Sequence, residues 1–163
     1  MNKQRVAMEL GSFHISLSET ELNETVRRIQ PQFPALQKLN LELTENRFIL
    51  SGQIKKLVSI PFRVSFYPFF RNSVLIFQIG EKANPGKITK AVMHLLLDKL
   101  LRKLNSRLIK HSETQITVDV NDMLAELHMN SNCTIQRFEL QNKTLYLELD
   151  GEVYVNFQTL LTP

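Results

Sequence analysis

One cysteine, no tryptophan and five glycines are what this 163-residue chain has least of. A single thiol, Cys133, cannot close an internal disulfide, so a reducing compartment is its simplest home. Few glycines and only six prolines exclude collagen-like and low-complexity classes. No apolar run approaches the roughly 20 residues that span a bilayer. The N-terminus, Met1 to Leu10, starts basic but lacks the apolar stretch of a signal peptide. The expected location is therefore the cytoplasm, with peripheral contact to a membrane as the further expectation.

Catalytic and cofactor signatures are equally scarce. His14, His94, His111 and His128 have no metal-ligand spacing, and there is no His-Glu-x-x-His, Cys-x-x-Cys or acidic calcium loop. No Gly-x-Ser-x-Gly elbow is present, and Cys133 lies in Asn130-Ser-Asn-Cys-Thr, a polar connection entering a strand. Gly11, Gly52, Gly80, Gly86 and Gly151 are isolated, so no phosphate-binding glycine loop forms. The chain is expected to be no enzyme, to hold no metal and to need no cofactor. Formal charge is +4 with a pI near 9.3, which favours an anionic partner only mildly. Part of the basic excess falls between Lys82 and Lys110. No helix-turn-helix, Gly-x-x-Gly clamp or RNA-recognition strand pair accompanies it, so nucleic acid is not the expected partner.

What the chain does contain is a repeat. Phe13, Ile15 and Leu17 alternate as in a half-buried strand, and Ser18 with Glu21 forms a capping box that opens a helix carrying Leu22, Val26 and Ile29. Pro31 and Pro34 stop that helix. Leu36 to Gly52 then reads as a hairpin turning at Glu45-Asn46. The same step returns at Gln115 to Leu124, followed by strands near 133–140, 143–150 and 152–158. Residues 1–163 are expected to form a single domain. Its pseudo-repeats, 11–57 and 113–158, are joined by strands over 60–80 and a long helix over 87–110. Consecutive hairpins rather than alternating helices indicate α+β with a mostly antiparallel sheet.

Two apolar features stand out. The expected long helix carries Val92, Leu96, Leu100 and Leu104 within an apolar stripe covering over half its circumference. A helix so apolar needs a curved sheet around it or another apolar surface against it. Phe66-Tyr-Pro-Phe-Phe-Arg71 reads as a hairpin tip where Tyr67, Phe69, Phe70 and Arg71 suit a membrane interface.

Leu17-Ser-Glu-Thr-Glu-Leu-Asn23, the hairpin Leu39 to Gly52, the helix 87–110 and Thr117-Val-Asp-Val-Asn-Asp-Met-Leu124 together resemble the tubular lipid-binding (TULIP, BPI-like) superfamily. They are most similar to its small bacterial single-domain phospholipid-binding type. The resemblance implies a curved, mostly antiparallel sheet wrapped around one long helix, built from two β-α-β-β units. An apolar groove would then hold a lipid or acyl chain between Val92, Leu96, Leu100 and Leu104 on the helix and Phe48, Leu50, Phe62, Val64, Leu75 and Phe77 on the strands. The expected function is non-enzymatic binding of a lipid or other long apolar ligand, with an anionic membrane as a peripheral partner. The alternative is a homodimeric interaction module that buries the same helix between subunits.

Overall fold

The computed structural model describes residues 11–55, 57–80, 94, 109–111, 115–126 and 129–155. Strand β1 (Ser12–Ser18) leads into helix α1 (Glu19–Ile29), which continues as a single 3-10 turn (Gln30–Gln32). Strands β2 (Leu36–Leu43), β3 (Phe48–Lys55), β4 (Ser59–Arg71) and β5 (Val74–Ile79) follow as successive hairpins. After β6 (Ile109–His111) come β7 (Gln115–Asp119), the short helix α2 (Val120–Glu126), β8 (Met129–Gln141) and β9 (Thr144–Val155).

These strands make two antiparallel sheets, one in the order β1-β9-β8 and one in the order β2-β3-β4-β5-β7-β6. This corrects the expected single sheet wrapped around one long helix: the described residues are mostly β, and the two short helices α1 and α2 link two antiparallel sheets. The expected helix 87–110 lies outside the described residues except at His94, which is helical, and at its end, where Ile109 and Lys110 are in β6. The leucine period runs up to that point, but Ile109, Lys110 and His111 pair with Val118, Thr117 and Ile116 instead.

The physical reason for two sheets lies in the helices. Each carries the chain from one sheet to the other: α1 links β1 of the smaller to β2 of the larger, and α2 links β7 of the larger to β8 of the smaller. At about 1.5 Å per residue, their 11 and 7 residues cover roughly 16 and 10 Å, enough to cross between sheets stacked about 10 Å apart. The strand opening each unit thus pairs outside its own unit, β1 with β9 and β7 with β5.

Strand β4 is shared in two halves. Ser59 to Phe66 pairs with β3, whereas Phe66 to Arg71 pairs with β5. Pro61 and Pro68 therefore sit where a partner strand lies on one side only, so their missing N–H groups cost no ladder bond there. Different elements cover the two halves. Val26 and Ile29 of α1, with Phe33, pack on Leu36, Leu39, Ile54, Phe62 and Val64. The smaller sheet covers the other half, bringing Cys133, Ile135, Leu147 and Leu149 against Leu75. Phe48, Phe77 and Phe138 meet between the sheets with ring centroids 5.9 to 6.3 Å apart.

Candidate functional site

The groove residues expected on the strands share one face of the larger sheet but are divided among different clusters. Phe48, Leu75 and Phe77 are used between the sheets. Phe62 and Val64 are buried in the cluster beneath α1. Leu50 is half-buried beside that cluster, together with Phe66 and Ile116. Val92, Leu96, Leu100 and Leu104 lie outside the described residues.

Register explains the seam between the two covers. Phe66 opposes Phe48 on one side and Ile79 on the other, Pro68 opposes Phe77, and Phe77 opposes Ile116. Directly opposed residues share a face, so Leu50, Phe66, Phe77 and Ile116 all face inward. Phe66 packs both on the cluster beneath α1 and on the cluster between the sheets. All four side chains remain half-buried, unlike neighbouring Ile79, which is fully buried. The seam is an apolar strip with no ionisable side chain on those four positions.

The expected membrane group also lies elsewhere than a free tip. Tyr67, Phe69 and Phe70 are strand residues of β4, paired with Gln78, Ile76 and Leu75, and exposed Arg71 ends the strand. Arg47 Nη1 donates to the Tyr67 hydroxyl at 2.8 Å, with the guanidinium 5.8 Å from the ring centroid. Phe69 and Phe70 point to opposite faces and both are exposed. The actual turn, Asn72-Ser73, is docked on the rest of the molecule. Its carbonyls accept from Ile135 N and Val120 N at 2.8 and 2.9 Å, and Ser73 Oγ donates to Asp119 at 3.0 Å. The β8 bulge between Ile135 and Arg137 turns the Ile135 amide toward that turn.

The polar residues that the structure brings together close sheet edges. Strand β2 is an outer strand of the larger sheet, and α1 with the 3-10 turn after it satisfies its backbone with side chains. Glu19 Oε2 accepts from Leu43 N at 2.8 Å, and Gln30 Oε1 accepts from Leu39 N at 3.3 Å. Between them Asn23 Oδ1 accepts from Leu41 N at 2.8 Å, while its Nδ2 donates to Leu41 O at 2.6 Å and to Glu19 O at 3.0 Å. On outer strand β8, Asn121 does the same for Cys133, accepting from its N–H at 2.8 Å and donating to its carbonyl at 2.9 Å. Asparagine fits this role because one amide supplies both donor and acceptor. These roles were missed in the sequence, where Asn23 beside Leu22 and ahead of Val26 is the only hint.

Titratable groups show no convergence on a reaction. Burial, reinforced by the negative charge of Asp150, pushes the Cys133 thiol up, and its Sγ donates to Glu152 O at 3.7 Å. The backbone amide and then the hydroxyl of Ser18 hold the Glu21 carboxyl below its usual value. The His14 ring lies 3.9 Å from Glu148 on the solvent face, and His94 is exposed. Among the described residues no group of His, Cys, Asp and Glu could hold a metal ion. Among them, too, no helix is long and apolar enough to cross a membrane.

Comparisons with protein-family models, curated proteins and solved structures find no match. Nothing in them identifies a tubular lipid-binding domain, so that likeness rests on the residue pattern alone.

Proposed function

We propose that this chain is a non-enzymatic binder of a lipid or other long apolar ligand, held at the seam of the larger sheet. The observation that carries this reading is the half-buried inward row Leu50, Phe66, Phe77 and Ile116 between two separate covers. Apolar side chains at the centre of a sandwich are ordinarily withdrawn from water, and a row left half-open is a place for an apolar guest. Each methylene of an acyl chain buried there contributes about 0.8 kcal/mol, so a chain can be held without a dedicated polar contact. Cytoplasmic location at the membrane periphery belongs to the same reading, supported by the lone, buried Cys133.

Titrating delipidated protein with a fluorescent fatty acid tests it. Saturable binding that weakens when Ile116 and Phe66 are both replaced by serine is expected. Absence of binding by the unaltered, delipidated protein would overturn the reading.

A further inference from the structure

The hairpin joining β3 to β4 ends in two aliphatic side chains that nothing covers. Leu57 is fully exposed and Val58 is 72% exposed, and Ile60 beside them is 38% exposed. The base of this tip is fixed rather than frayed. Ile54 is buried, Lys55 opposes Ser59 as the last ladder pair, and Lys55 N donates to Ala35 O at 2.8 Å. Exposed large apolar residues normally scatter singly, so adjacent ones held out on a braced turn mark a contact site.

Charge identifies the partner. Of the cations in the acid-free stretch between Glu45 and Glu81, Arg47 hydrogen-bonds Tyr67, Arg63 pairs with Glu42 and Arg71 ends the far side of β4. That leaves Lys55 at the tip, with Lys56 next to it in sequence. The side chain of Lys55, at the base of the tip, is exposed. Two aliphatics on a convex turn are too small for the roughly 800 Å² that each partner contributes to a stable protein interface. They suit shallow insertion at headgroup depth, where flanking cations meet lipid phosphate.

We propose that the Leu57-Val58 tip docks the protein on an anionic lipid surface. The proposal names the membrane contact of the lipid-binding reading but does not require a bound acyl chain. Leu57 lies at the opposite end of β4 from Arg71, about 40 Å away for a 13-residue strand, so docking leaves the Tyr67 to Arg71 end clear of the bilayer.

Flotation of the full chain with liposomes tests it, using phosphatidylcholine alone and phosphatidylcholine with 30% phosphatidylglycerol as an order-of-magnitude anionic load. Binding to the anionic vesicles alone, weakening with salt, is expected. The pair Leu57→Ser and Val58→Ser should weaken it at least about ten-fold with an unchanged urea midpoint, since both side chains are exposed. Lys55→Gln should weaken it about five-fold. No anionic-vesicle binding by the unaltered protein, or equal binding by the double variant, would overturn the proposal. So would a self-association that the double variant abolishes, which would assign the tip to a second copy. Because fatty-acid titration uses no vesicles, a failure of docking is distinguishable from a failure of ligand binding.

Discussion

Replacing Asn23 by alanine tests how the larger sheet is closed at its β2 edge. Asn23 is 8% exposed, and its amide makes three hydrogen bonds, two of them with the N–H and carbonyl of Leu41. A typical buried hydrogen bond contributes about 1 kcal/mol net, so three give about 3 kcal/mol. Alanine also leaves the Leu41 N–H and C=O without protein partners, a penalty that water largely cancels because Leu41 is only half-buried. The better helix propensity of alanine returns about 0.5 kcal/mol. A loss of about 3 kcal/mol is therefore expected, which moves the urea midpoint down by about 1.5 M at a slope of about 2 kcal/mol/M. Thr25→Ala is the matched control. Its hydroxyl donates to Glu21 O on the exposed side of the same helix, so it should stay within about 0.5 kcal/mol. A loss below about 1 kcal/mol for Asn23→Ala would refute the view that this side chain closes the edge.

Asn121→Ala should behave alike, losing about 2–3 kcal/mol by urea denaturation, because it strips Cys133 N–H and C=O and also the Ser131 hydroxyl of partners. Gly151→Ala should leave little folded protein by circular dichroism: φ is 142° there, and a Cβ would collide with the backbone carbonyl of Asn132. The Cys133 thiol, raised by burial, contributes stability that is intact below the unfolded thiol pKa and lost as pH rises through the folded value. It should react slowly with a disulfide reagent near pH 8 and promptly in urea; fast labelling of native protein would contradict that. Ser18→Ala should cost about 1 kcal/mol by removing the hydroxyl that accepts from Glu21 N at 3.2 Å. Glu21, held low by Ser18, contributes stability present above the unfolded Glu pKa and lost as pH falls through the folded one, so Glu21→Gln should flatten acid unfolding.

Local chemistry was legible where a residue's role is set by near neighbours. The Ser18–Glu21 box, the stop at Pro31 and the turn between β2 and β3 all depend on contacts a few residues apart. Pairing between distant strands was not legible. Nothing in Phe13 to Leu17 states that β9 rather than β2 is the partner, because an alternating strand fits any apolar face. Pro68 misled for a related reason. It suggested a tip, whereas β4 continues through it by being paired on one side only. Gly151 likewise lies inside β9 instead of ending a strand. Of the candidate site, the apolar character of Leu50 and Phe77 was readable, but which side chains lie between the sheets depends on how α1 and α2 carry the chain from one sheet to the other. The Leu57-Val58 tip had a sequence signal, the acid-free span from Glu45 to Glu81, whose meaning depends on where the hairpin turns.

Native mass spectrometry of freshly purified protein, with organic extraction of the same sample, tests the central claim most directly. A monomer carrying added mass that matches an extracted acyl lipid is expected. A clean dimer with no adduct and no extracted lipid would contradict the lipid-binding reading and move the open apolar surface into a subunit interface.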